Sequence, residues 1–215
     1  MVIKVKLCGL NTADTISAAI DGGVDFIGLV FYPPSPRYVS PRKAASLISK
    51  VPKSIVTVGL FVDPSDEVLY QTLKTVELDM LQLHGTEAPK RIKEIKVLFD
   101  RKIIKAIKVG SKKDVRAAHS YEDLVDWLLF DAAPPKNTIG ALPGGNAIAF
   151  DWELLNNQRW AKSWMLSGGL NIHNVVRAVH ATRALAVDIS SGIEDKKGVK
   201  SPDKVSQLLK VIKQI

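Results

Sequence analysis

Two stretches in the C-terminal third decide the fold: Met165-Leu166-Ser167-Gly168-Gly169-Leu170-Asn171 and Val187-Asp188-Ile189-Ser190-Ser191-Gly192-Ile193. Each runs from a short apolar segment into small residues that leave backbone N–H groups bare, and then into a helical pattern. Small residues at the start of a helix let a phosphate approach those donors and the positive end of the helix dipole. Two such turns on the last two strand–helix units match the phosphate site of a (β/α)8 barrel. The pair therefore predicts an α/β TIM barrel that holds a phosphorylated small molecule at Gly168, Gly169, Asp188, Ser190, Ser191 and Gly192.

The rest of the chain keeps the same rhythm. Strand-like runs are expected at Ile3–Leu7, Phe26–Phe31, Ile55–Phe61, Met80–Leu83, Ile103–Ile107, Trp127–Phe130, Trp164–Leu166 and Leu185–Val187. Amphipathic helical stretches fall between them, for example Thr12–Asp21, Pro41–Ser49, Asp66–Lys74, Ala88–Val97 and Lys112–Ser120. A last helix, Pro202–Ile215, carries an apolar stripe of Val205, Leu208, Leu209 and Ile212. Strict alternation argues for parallel βαβ units. No GxGxxG loop follows the first strand, as a dinucleotide fold would want. The 215 residues suit one domain over 1–215. The one long irregular stretch, Asp131–Ala149, has the length of a functional loop.

Composition narrows the function classes. Hydrophobic residues are 46% and charged residues 24%, as in ordinary globular proteins. No apolar run approaches a membrane span and no signal-type segment opens the chain, so the expected compartment is the cytoplasm. A single cysteine excludes an internal disulfide, and the four scattered histidines lack zinc spacing. The net charge of +8 is not organised into a basic run interleaved with aromatics, which argues against nucleic acid. A positive field does suit a small anionic substrate. The chain is expected to act as a monomer or homodimer.

In a barrel, chemistry gathers where strands end and loops begin. Cys8 ends the first strand and Asp131 ends the sixth, so the two can face each other across the mouth as base and acid. A lone cysteine is ordinarily a small buried residue; its place at the rim opens the second role. Arg37 lies in Tyr32-Pro33-Pro34-Ser35-Pro36-Arg37-Tyr38, where three prolines stiffen the loop that carries a guanidinium suited to a carboxylate, although taken alone it reads as a surface arginine. His84 at a strand end reads as a structural hydrogen-bonding residue. Asp63 and Asp151 read as helix caps.

These residues carry a resemblance. Lys6-Leu7-Cys8-Gly9-Leu10, Ser35-Pro36-Arg37-Tyr38, Val58-Gly59-Leu60-Phe61-Val62, Leu81-Gln82-Leu83-His84-Gly85, Leu129-Phe130-Asp131, Phe150-Asp151-Trp152, Leu166-Ser167-Gly168-Gly169-Leu170 and Val187–Glu194 run in order over nearly the whole chain. Together they resemble the phosphoribosylanthranilate isomerase family of tryptophan biosynthesis. The resemblance implies a cofactor-free, metal-free Amadori rearrangement of N-(5-phosphoribosyl)anthranilate to 1-(2-carboxyphenylamino)-1-deoxyribulose 5-phosphate. It implies Cys8 as general base, Asp131 as general acid and Arg37 near the anthranilate carboxylate. A base thiol must be made acidic by local positive potential. The stretch Gly144-Gly145-Asn146-Ala147 departs from the Gly-Gly-Thr-Gly or Gly-Gly-Ser-Gly of many members. Two alternatives remain open: another phosphate-sugar barrel enzyme such as indole-glycerol-phosphate synthase, which would want a lysine/glutamate pair at strand ends, or a non-catalytic binding barrel.

Overall fold

The computed structural model describes residues 2–134, 144–145 and 149–215. Eight parallel strands close into a barrel in chain order: β1 (Lys4–Cys8), β2 (Phe26–Val30), β3 (Val56–Phe61), β4 (Met80–Leu83), β5 (Lys102–Val109), β6 (Trp127–Ala132), β7 (Ser163–Leu166) and β8 (Ala186–Ile189). Pairing of Lys4 with Ala186 and of Leu7 with Ile189 joins the last strand to the first. Helices α1 (Ala13–Asp21), α2 (Pro41–Ile48), α3 (Asp66–Thr75), α4 (Pro89–Phe99), α5 (Lys112–Ala117), α6 (Val175–Thr182) and α7 (Pro202–Ile212) lie outside. The eight-strand barrel and the five internal helices anticipated from periodicity are all present.

Local chemistry starts the helices. The Thr12, Ser40 and Ser65 side chains accept from the N–H groups of Thr15, Lys43 and Val68, and Pro41, Pro89 and Pro202 occupy first turns. Asp63 does not cap α3. Ser65 does so, while Asp63 takes a left-handed φ of 45° and accepts from the Thr86 N–H at 2.7 Å. Asp151 is a cap, accepting from the Glu153 N–H at the start of a short 3-10 helix, Trp152–Leu155. The α7 stripe of Val205, Leu208, Leu209 and Ile212 is buried, and Leu209 packs against Gly22 at the end of α1.

Strand alternation sorts the apolar residues into two cores. The larger lies between barrel and helices and includes Leu7, Ile27, Leu81 and Val187. The smaller fills the barrel: Phe26, Val58, Met80, Ile104, Ala106, Leu129, Met165 and Ala186, drawn from β2 to β8. β1 contributes no apolar residue to this inner set. Its corresponding inward residue is Lys6, fully buried.

One connection departs from expectation. Ser190-Ser191-Gly192 does not open a helix. It leads into a small antiparallel hairpin, β9 (Glu194–Lys196) and β10 (Val199–Lys200), before α7. β8 also extends to Ile189, so Asp188 is a strand residue and not part of the turn. After β7, α6 begins only at Val175. The bare donors at both turns therefore belong to loop backbone rather than to first helical turns. No helix is long and apolar enough to cross a membrane among the described residues.

Candidate active site

One cavity opens at the C-terminal ends of the strands. Cys8, Arg37, Asp131, Gly168, Gly169, Asp188, Ser190 and Ser191 all line it. Val30, Leu60 and Val62 give it an apolar wall, and Tyr32, His84, Gly144, Gly145 and Ser167 complete much of the rest. Gly192 abuts the site without lining it. A side chain there would strike the Leu170 carbonyl and the Asn171 backbone, and Asn171 and Gly192 form a bridge. The two turns singled out in the sequence are thus in direct contact. Gly168 and Gly169 adopt φ of 91° and 60°, a region that side chains disfavour. Their amides sit in a loop pinned by the Asn171 and Asn174 side chains, both donating to the Gly169 carbonyl.

Asp131 is buried at the end of β6. One oxygen, Oδ1, accepts from the Ala132 N–H at 3.0 Å; the other lies 3.1 Å from His84 Nε2. The Gln82 amide lies 2.9 Å from His84 Nδ1, and Gln82 Oε1 has no partner among the described residues. With this amide donating, His84 Nε2–H donates to Asp131. With the amide turned over, Nδ1–H meets Oε1 and Nε2 is free to accept a proton held by Asp131. His84 is the structural hydrogen-bonding residue anticipated, and it also lines the cavity.

Cys8 lines the same cavity from β1. Burial pushes its thiol up, Lys6 pulls it down, Asp188 adds to the rise and Lys200 opposes it. The acidic thiol anticipated from the sequence is therefore not the resting state, because loss of hydration outweighs the nearby cations. Lys6 Nζ donates to Asp188 Oδ1 at 2.8 Å. Burial acts to lower the Lys6 value, yet Asp188 and Cys8 together carry it above that of an ordinary lysine.

Arg37 is buried, and the carboxylate it meets is the protein's own. Nε donates to Glu194 Oε1 at 2.7 Å, and Nη2 donates to Glu194 Oε2 at 3.0 Å and to the Gly145 carbonyl at 3.2 Å. Glu194 also receives Lys200 Nζ at 2.8 Å, and that ammonium bonds the Ser190 carbonyl at 2.7 Å and hydroxyl at 3.1 Å. Burial would raise Glu194, but Arg37 and Lys200 hold it below the usual carboxylate range. Burial brings Lys200 down to about 8, against the pull of Glu194. A continuous line of buried charge thus runs from Arg37 through Glu194 and Lys200 to the turn at Ser190.

Lys6, Glu194 and Lys200 were not singled out by sequence reasoning. Alternation in Lys4-Val5-Lys6-Leu7-Cys8 was the available signal for Lys6, since it puts Lys6 on the same face as Cys8. Glu194 and Lys200 lie in a hairpin too short to leave a periodic pattern. The departure at Asn146 and Ala147 lies outside the described residues. Among those described, no group of three His, Cys, Asp or Glu residues is placed to hold a metal ion.

Residues 5–211 match the family model described as N-(5'-phosphoribosyl)anthranilate isomerase. The chain is 48% identical over 209 residues to the enzyme of that name from Rhodospirillum centenum, covering 97% of each. It is 46% identical over 210 residues to that from Paramagnetospirillum magneticum, covering 98% of this chain and 97% of the relative. It is similar to the crystal structure of phosphoribosyl anthranilate isomerase from Thermotoga maritima, with TM-score 0.88, 32% identity and full coverage of both chains. A phosphoribosyl anthranilate isomerase solved with reduced 1-(o-carboxyphenylamino)-1-deoxyribulose 5-phosphate matches with TM-score 0.83 and 31% identity, also over both whole chains. The barrel, its rim of small-residue turns and these likenesses over nearly the full length agree: the chain belongs to the N-(5'-phosphoribosyl)anthranilate isomerase family.

Proposed function

We propose that Cys8 and Asp131 are the base and acid of the family's reaction in this chain. That reaction is the isomerisation of N-(5'-phosphoribosyl)anthranilate in tryptophan biosynthesis. The observation that carries the assignment is that Cys8 on β1 and Asp131 on β6, strands that are not neighbours in the barrel, line one cavity that both small-residue turns also line.

The chemistry divides between the two walls. The phosphate of the substrate sits against the Gly168-Gly169 and Ser190-Ser191 backbone, with the Lys200 charge behind Ser190. The anthranilate ring lies along Val30, Leu60 and Val62, and its carboxylate approaches the Arg37 guanidinium. Asp131, protonated, donates to the furanose ring oxygen; the C1–O bond breaks and the nitrogen lone pair forms the C1=N bond of a Schiff base. Cys8, as thiolate, then takes the C2 proton. The electrons move toward nitrogen and give an enolamine, which tautomerises to the C2 ketone. Acid and base on opposite faces of the sugar serve successive steps, and each contributes about 10²–10⁴-fold. His84 fixes the Asp131 carboxyl in the orientation from which it can donate.

The test follows the disappearance of anthranilate-substrate fluorescence. The wild-type chain should turn over, and Cys8→Ala should lose roughly 10²-fold or more in kcat with KM largely kept. More than about a tenth of wild-type kcat in Cys8→Ala would return Cys8 to a packing role.

A further inference from the structure

We propose that Lys6 is the positioning residue of the base: its buried ammonium, anchored by Asp188, is the fixed charge against which the Cys8 thiol gives up its proton. This rests on the assignment of Cys8 as base.

The argument starts from what fills the barrel. Seven strands supply apolar side chains to the inner core, while β1 supplies a lysine that is fully buried. A buried ammonium is costly to hold, and a buried ion pair can usually be replaced by apolar residues without loss. Stability alone gives no reason for a cation at this one position. Among the described residues its hydrogen-bond acceptor is Asp188 Oδ1, at 2.8 Å. An ammonium has three protons, so capacity remains for a second acceptor.

Geometry places the Cys8 sulfur nearby. Lys6 and Cys8 are two residues apart on one strand and share its inward face. Gly28 on β2, in register with Cys8, leaves open the space between them. A Cβ at Gly28 would lie 2.9 Å from Cys8 Sγ and 3.2 Å from Lys6 Nζ, so both atoms border one small volume.

The other charges around Cys8 do not serve as well. Asp188 on β8 opposes a thiolate. Lys200 on β10 favours one, but its ammonium is committed to Ser190 and Glu194 and gives up its proton near pH 8. Arg37, across Gly9, is paired with Glu194. Lys6 alone among these cations borders the space at Gly28 together with the thiol and keeps its charge above the ordinary lysine range. In the reaction the thiol proton leaves to solvent, the thiolate takes the C2 proton, and Lys6 keeps all of its protons.

Cys8 is the sole cysteine, so thiolate absorbance in the ultraviolet, measured against Cys8→Ser, reports this group alone. In Lys6→Met the midpoint of that titration should rise by about one pH unit or more, the usual effect of losing an opposite charge within about 4–6 Å. Alkylation of Cys8 at pH 8 should slow about tenfold to match, and kcat should fall with KM little changed. Lys6→Arg should recover most of the titration shift. A folded Lys6→Met protein with the wild-type midpoint overturns the proposal. Should the unpaired Asp188 prevent folding, Lys6→Met/Asp188→Asn removes both charges. Lys6 acts on the thiol more strongly than Asp188, so the midpoint should still rise, and a fixed or lowered one refutes the idea. Activity surviving in Cys8→Ala would instead sink the base assignment and leave the titration result standing.

Discussion

Anion binding at the turns should draw a proton from solution near pH 8 and not near pH 6. The perturbation is the addition of sulfate, which stands in for the substrate phosphate and does not itself titrate in this range. Lys200 bonds the Ser190 carbonyl and hydroxyl from behind the turn, and its proton is half lost at about pH 8. An anion within about 4–6 Å favours the charged ammonium by about 1–3 pH units. Occupancy at pH 8 then climbs from about one half to roughly nine tenths or more, an uptake of about 0.4–0.5 proton per anion bound. At pH 6 Lys200 is already charged and the uptake from it is close to zero. Linkage requires the reverse as well: sulfate should bind more weakly as pH rises through 8. Calorimetric titration in two buffers of different ionisation enthalpy reads the proton count directly. An uptake below about 0.1 at pH 8, or the same uptake at pH 6, would refute the placing of the anion against Lys200.

Asp131→Asn keeps the shape of the acid but has no acidic proton, and should cost kcat about 10²–10⁴-fold; wild-type turnover in this variant would remove Asp131 from the mechanism. Arg37→Lys offers a point charge in place of a fork that already makes three bonds, so kcat/KM should fall about tenfold or more, and unchanged steady-state kinetics would take Arg37 out of ligand recognition. Gly169→Val forces a branched side chain to φ of 60° beside the bare amides; sulfate should then lose affinity as inhibitor while the circular dichroism melt stays cooperative, and an unaltered inhibition constant would move the anion elsewhere.

The barrel was legible because period-2 and period-3.6 patterns alternate cleanly, and strand ends then give a set of residues that includes Cys8 and Asp131, from which the family resemblance picks the pair. What escaped was mostly buried charge. A lysine in a strand reads as solvent-facing, and only the alternation shared with Cys8 betrays Lys6 as an interior residue. Arg37 was read for a ligand carboxylate, but its internal partner Glu194 is 157 residues away, and no local pattern carries such a pairing. The hairpin after β8 consists of strands of three and two residues, below the length at which periodicity means anything. The direction of the Cys8 shift also depends on how completely the fold strips water from the thiol, which composition does not encode.

That hairpin makes Glu194 a single carboxylate shared by two cations, Arg37 and Lys200, both held on its Oε1. Charge withdrawn from one cation is felt by the other. A ligand carboxylate that draws Arg37 away releases Glu194 toward Lys200, and a phosphate that occupies Lys200 releases Glu194 toward Arg37. On the proposed placing of phosphate and carboxylate, the two anionic groups of the ligand are thermodynamically coupled through one side chain. By reciprocity, whatever a fragment carrying only the phosphate does to the affinity for a free aromatic carboxylate, that carboxylate does in equal measure to the affinity for the phosphate.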